Sequence, residues 1–411
     1  MLEFYVNMKM SNQLKKYLLF ALFVFISGVL NAQNNKLHIV SIEECATVPR
    51  LHSAYYLENY NIRSKNFISS NNGRSWQNKV ISFPRYTYND SNSRRTHVAS
   101  LFSKKYGIIV HFINAIDKRN IGIKRTGELK EGIYNYYLRY YISTPFSTDY
   151  IADEVIKDKK AIDEKPFEGI VRGKNAYYLG DIGSNPIELS NGKILLPIQQ
   201  TILKNGELYN PANTTSYTGA RVLIGTINKL KTKIDWIASD LIEVSPEKST
   251  RGLIEPTIIE LDSGKLLMIM RGSNGGSLDR SFSIPGYKWF SISIDGGYSW
   301  SSSKPLKYDD GGELFSPSSM SRLFKSSKGD IYWIGNITDR NPKGNNPRNI
   351  LVIGEISLKD YSLKRKSIVI IDSQKGNSDL SHFSVIEDRE TENIVVCYPF
   401  DGKWKVVKLN Q

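Results

Sequence analysis

Cysteine is nearly absent from this 411-residue chain: there are two, Cys45 and Cys397, close to opposite ends. The five histidines are scattered, so no zinc-type ligand spacing exists. No Gly-rich phosphate loop and no carboxylate run spaced for calcium appears, so no cofactor or metal is expected. Beyond residue 30 no stretch is apolar and long enough to cross a bilayer, and stable membrane insertion is not expected. Long helical patterns are also scarce. What is abundant is Tyr, Ile, Ser, Asn and Gly in short alternating runs, the composition of an all-β protein.

The single long apolar run, Leu18 to Leu30, follows Lys9, Lys15 and Lys16 and precedes Asn31-Ala32-Gln33. That order of charge, apolar stretch and small residue predicts a secretory leader over residues 1–32, cut after Ala32, with Met8 or Met10 as alternative starts. The expectation is therefore an exported protein, periplasmic or extracellular, with one domain over 33–411. The formal charge is +14, and losing three Lys and one Glu with the leader leaves about +12. An exported chain rarely meets nucleic acid, so a basic excess points to acidic glycans or simply to a solvated lysine-rich surface. Export also permits a Cys45–Cys397 disulfide closing a ring, and two separate thiols are the alternative.

Two repeats run along the chain. In the first, a β-rich run, a polar turn and a second β-rich run recur at Ser184–Thr201, Ile254–Arg271, Ser318–Asn336 and Ser384–Tyr398. The turns carry Asn191-Gly192, Ser263-Gly264 and Lys328-Gly329, which is a hairpin signature. A spacing of roughly 65 residues predicts radial repetition in four-stranded blades. The second repeat is S-x-[D/N]-x-G-x-x-W, at Ser69-Asn71-Gly73-Trp76 and Ser293-Asp295-Gly297-Trp300. There the Asp or Asn binds turn N–H groups, the Gly takes positive φ, and the Trp packs back between strands. The charged segment 148–169 and residues 84–96 read as surface loops, the first with room for a short helix.

Together these motifs resemble the sialidase (neuraminidase) superfamily of six-bladed Asp-box β-propellers, most clearly from about Gly180 to Tyr398. In EPTIIELDSGKLLMIMR, Glu255 and Arg271 stand at the two ends of one hairpin. The resemblance implies that Glu255 activates a nucleophile and that Arg271 is one of three arginines clamping a carboxylate. By the same register Arg348 is the next clamp arginine, with Arg340 nearby. Guanidinium forks suit carboxylates because they pair bidentately. The chain also departs from the family. Phe383 falls where the family has its tyrosine nucleophile, with His382 before it. VPRLHSAYY supplies only Arg50 in place of the Arg-Ile-Pro signature, and Glu58 is the only carboxylate between that segment and the first Asp-box.

The candidate site is accordingly Glu255 and His382 as catalytic groups, with Arg271, Arg348, Arg50 and His52 binding substrate. Histidine exchanges protons near neutral pH and fits the vacancy left by the tyrosine. His111, flanked by apolar residues, reads as core. Tyr55, Tyr56, Tyr136, Tyr137 and Tyr287 remain open as proton donors. Three functions follow: an exo-glycoside hydrolase removing a terminal acidic sugar, a polysaccharide lyase on uronic-acid chains, or a glycan-binding propeller without turnover. Each takes a glycan partner, and none takes nucleic acid.

Overall fold

The computed structural model describes residues 36–79, 93–118, 134–147, 149–156, 177–178, 184–205, 207–214, 217–376 and 378–411. The expected leader over 1–32 lies outside these residues. Nearly all of the regular structure among the described residues is strand, and the four-stranded blades expected from the repeats are present as a ring of six, the number that the resemblance implies, with two short inner strands in the third.

Each blade is an antiparallel meander running from the axis outward. The inner strands are Tyr55–Tyr56, Ser93–Ser103, the short Tyr177–Tyr178 and Ile187–Glu188, then Ile254–Glu260, Ser321–Lys325 and Ser384–Glu387. The four hairpins read from sequence are the first and second strands of blades three to six: Ile187–Glu188 with Ile194–Thr201, Ile254–Glu260 with Leu266–Arg271, Ser321–Lys325 with Ile331–Asn336, and Ser384–Glu387 with Ile394–Phe400. The second strands are buried on both faces because neighbouring blades cover them. This is why ILLPI and LLMIM read as continuous apolar runs rather than alternating ones.

The core follows the blade junctions. Separate apolar clusters fill the contacts between blades one and two (Leu57, Ile109), two and three (Phe112, Trp236), three and four (Val222, Met268), four and five (Leu267, Trp333), five and six (Ile334, Phe383), and six and one (Val395, Ile62). The ring closes because His38–Cys45, the first described strand, pairs with Lys403–Asn410 as the outermost strand of blade six. Both cysteines are free thiols, so of the two alternatives the disulfide is not formed. Cys45 lies opposite Trp404 and Cys397 opposite Val406, on the two strands that flank Lys403–Asn410. Burial pushes the Cys397 thiol up to about 12, which makes it unreactive.

Two loop expectations change. Within 148–169, residues Tyr150–Val155 form the outer strand of blade two rather than a loop or helix. Their acidic character misled the reading: Arg139 binds Asp153 at 2.7 Å and lets the segment join the sheet. Within 84–96, residues from Ser93 onward belong to the inner strand of that blade. The remainder of both segments lies outside the described residues.

The Asp-box turns sit between third and fourth strands, at the end of the blade opposite Arg271: in blade four Ser293 faces Leu266 while Lys288 faces Arg271. Asp295 accepts the N–H groups of Tyr298 and Ser299, each at 3.0 Å, and Ser293 Oγ accepts Gly297 N–H at 2.9 Å. Although some burial opposes it, the hydrogen bonds from Ser299, Ser293 and Tyr298 hold the Asp295 carboxyl down at about 2. In blade one Asn71 accepts Ser75 N–H at 2.9 Å in the same manner but carries no charge. The charged copy should therefore matter more. Asp295→Ala is expected to cost about 1 kcal/mol in urea unfolding at pH 7. Equal stability of variant and wild type would remove the turn from any stabilising role.

Candidate functional site

Glu255 enters its position through a backbone irregularity. Ile254 pairs with Arg271 and Thr257 with Ile269, so Glu255 and Pro256 together face one residue and form a bulge. Glu255 has φ +47°, a left-handed conformation disfavoured for a side chain with a Cβ. Gln199 of blade three holds it by accepting the Glu255 N–H at 2.9 Å. The bulge aims the carboxylate at Arg271, with Oε1 2.6 Å from Nη1. Its other oxygen, Oε2, is buried and has no hydrogen-bond partner.

Arg271 lies at the end of its strand, 8% exposed. Its Nε donates to Ser318 Oγ at 2.8 Å and its Nη2 to Asn345 Oδ1 at 3.1 Å. Arg348 comes from the next blade and uses the same two residues. Its Nη2 donates to the Ser318 carbonyl at 2.8 Å and its Nε to the Asn345 carbonyl at 3.0 Å. Two guanidiniums from adjacent blades are thus locked to one another through Ser318 and Asn345. The exposed Arg340 takes no part in this network, so Arg348 is the arginine that the register selects.

Beneath them lies a residue that sequence reading missed. Lys288 is directly opposite Arg271 in the ladder and fully buried. Its Nζ donates to the carbonyls of Pro317 and Ser319, both at 2.8 Å, and so clamps both sides of Ser318. Burial first, then the Arg271 and Arg348 charges, pull its pKa well below that of an ordinary lysine, with Glu255 opposing. The only sequence signal for it was a lysine opening the otherwise apolar KWFSIS run.

Charge decides what Glu255 can do. Burial would raise its pKa, but attraction and hydrogen bonding from Arg271, with Arg251 and Lys288 nearby, outweigh this and hold it below the usual range. Glu255 is therefore ionised at neutral pH and can accept a proton but not supply one. Arg251, just ahead of the bulge, is a second residue absent from the sequence-based site.

The network continues into blade six. Arg348 Nη1 reaches Ser381 Oγ at 3.3 Å and Asp379 Oδ2 at 3.4 Å. Ser381 donates its hydroxyl proton to Asp379 and lies 2.9 Å from His382 Nδ1. With that proton committed to Asp379, the Nδ1 must donate, which leaves the imidazole lone pair on Nε2. His382 is exposed and, like Glu255, has a left-handed backbone, φ +58°. The neighbouring Phe383 points the other way, wholly buried between blades five and six. The side chain that reaches the surface here is thus the histidine.

His52 stands behind His382. Its Nε2–H donates to the His382 carbonyl at 3.4 Å, and Ser53 Oγ lies 3.2 Å from its Nδ1. Burial lowers its pKa to about 4, so it is a neutral support rather than a charged substrate ligand. Arg50 joins none of this: it is exposed, with its guanidinium stacked 4.6 Å over the Phe67 ring. Glu58 lies in the turn between the first two strands of blade one, beside the Asp-box, at the far end of the blade from His52. His111 is core, bridging Ser100 and Ser143 at 2.8 and 3.0 Å. Glu255, Arg271, Arg348, His382 and His52 thus form one connected network.

Solved structures share this architecture. A protein of unknown function from Dyadobacter fermentans DSM 18053 matches with TM-score 0.59 and 13% identity, over 91% of this chain and 99% of that one. The K499G mutant of NanB sialidase from Streptococcus pneumoniae matches with TM-score 0.53 and 12% identity, over 91% and 70%. Trypanosoma rangeli sialidase, solved in complex with the inhibitor DANA, matches with TM-score 0.51 and 11% identity, over 88% and 54%. The chain thus spans just over half the length of the last of these. No protein-family model and no curated protein matches it. The fold is that of a sialidase-like β-propeller.

The buried neutral His52 generates a pH dependence. The unfolded chain takes up a proton near the ordinary value of 6.5, the folded chain only near 4. Its contribution to stability is therefore whole above pH 6.5 and declines as pH falls from 6.5 to 4. In His52→Asn this slope should flatten in urea titrations at pH 7 and 4.5. Identical slopes in the two proteins would show that His52 is not held neutral.

Proposed function

We propose that this chain is an exported exo-glycoside hydrolase that removes a terminal acidic sugar from glycans. The observation that carries the reading is the pair Arg271 and Arg348, locked through Ser318 and Asn345 beside an ionised carboxylate with one unpartnered oxygen. Three of the five Arg271 donors are taken, and the rest of the fork remains for a carboxylate or sulfate on the sugar.

In this scheme the two arginines fix the acidic group. Glu255 Oε2 takes a proton from water as its oxygen bonds to the anomeric carbon. The imidazolium form of His382, which carries a proton on Nε2 as well as on Nδ1, gives the Nε2 proton to the departing glycosidic oxygen as that bond breaks. Two titratable groups thus serve as base and acid. The reading needs no tyrosine nucleophile and is compatible with Phe383. Export is supported by the basic and apolar order of residues 1–32.

The second reading, a lyase on uronic-acid chains, is favoured by the lone pair on His382 Nε2, since Ser381 links the imidazole Nδ1 to Arg348. Such a base would remove the proton next to a uronate that Arg348 neutralises.

Product analysis separates the readings. The purified protein should release a saturated monosaccharide from at least one of a set of sialylated, uronate-containing and sulfated glycans. Glu255→Gln should lower that rate by about 10²–10⁴-fold. An unsaturated uronate product, absorbing in the near ultraviolet, would replace the hydrolase with the lyase. Binding without product would leave a glycan-binding propeller.

A further inference from the structure

The inner strands of five blades surround a cavity of about 530 Å³. Its walls include Tyr55 of blade one, Ser100 of blade two, Pro186 ahead of the inner strand of blade three, Arg322 of blade five and Ser384 of blade six, which places it on the propeller axis. His52 also lines it and carries its wall to His382, so the cavity adjoins the Arg348 end of the network above.

Its electrostatics are unbalanced. Arg322 and Lys65 line it, and no carboxylate does so among the described residues. No described residue offers Arg322 a hydrogen bond or a counter-ion, whereas Arg271, Arg348, Arg139 and Arg365 all have carboxylate partners. Enclosure by the fold alone lowers the Arg322 pKa to about 10, which leaves the guanidinium charged at neutral pH. A second wall residue, Ser384, is 4% exposed and its hydroxyl has no partner. An enclosed cation without compensation is costly, and a fork of N–H donors beside an idle hydroxyl matches an oxyanion.

We infer that the axial cavity is an oxyanion-binding site anchored by Arg322, with Ser384 as a further donor, for a carboxylate or sulfate group. This site is separate from the Arg271–Arg348 pair and stands whether or not the chain cleaves glycans. The group could belong to a sugar of the glycan or to a free inorganic anion, and the chemistry of recognition is the same.

The test uses sodium sulfate at constant ionic strength, read by thermal unfolding and by calorimetric titration. Wild type and Arg348→Gln should show a saturable rise in melting temperature, and Arg322→Gln should bind sulfate at least tenfold more weakly. Without sulfate, Arg322→Gln should be as stable as wild type or more so, because it removes an uncompensated charge. Loss of the sulfate response in Arg348→Gln with retention in Arg322→Gln would overturn the inference. So would a large loss of stability in sulfate-free Arg322→Gln, which would mean that protein groups already satisfy the arginine. Anomalous diffraction from selenate-soaked wild-type crystals gives a check without any variant: a peak beside Arg322 supports the site, and its absence contradicts it. Glucuronate displacing sulfate with higher affinity would assign the site to a sugar, and sulfate binding untouched by glucuronate would assign it to a free anion.

Discussion

The hydrogen-bonded ion pair between Arg271 and Glu255 is the contact on which the site depends. It joins the ends of two adjacent strands, and it forms only because a bulge turns Glu255 out of the ladder into a left-handed conformation. A buried carboxylate and a buried guanidinium each cost several kcal/mol to remove from water, and close pairing offsets this. Removing either would strand the other. The site is therefore fixed before any ligand arrives, with Gln199 behind the bulge and Lys288 below the Ser318 turn acting as supports.

From that pair the charge pattern extends outward in order. Arg271, Arg348 and the nearby Arg251 stand against Glu255 and Asp379, so the cluster retains positive character where the blades meet. Uncompensated positive charge in a concave, partly dry region favours anions. The Asp-boxes lie at the other end of the blades, where they hold turns and take no part in this chemistry. One end of the propeller thus secures the fold and the other presents charge.

Much of the fold was legible because it repeats. Four hairpins at regular spacing and two turn motifs are local signals, and each maps onto one strand pair or one turn. Blade two was harder to read: Tyr150–Val155 looks charged until Arg139, on the neighbouring strand, neutralises Asp153. Glu255 and Arg271 were visible because they bracket a single hairpin. Lys288 was not, since nothing local indicates that a lysine will be buried between two carbonyls from the start of the next blade. Arg50 was misplaced for the converse reason: its sequence context suited the site, but its guanidinium found an aromatic ring, Phe67, closer by. Which of His382 and Phe383 faces outward depends on the left-handed backbone at His382, a tertiary feature that no pattern along the chain encodes.

The most direct test of the account is a crystal structure of the protein with an acidic monosaccharide, N-acetylneuraminate or glucuronate, soaked into the crystal. The account predicts the sugar carboxylate within hydrogen-bonding distance of both Arg271 and Arg348, with the Glu255 carboxylate facing the anomeric centre. A sugar bound elsewhere, with both arginines contacting only their present partners, would show that the paired guanidiniums serve the fold and not a substrate.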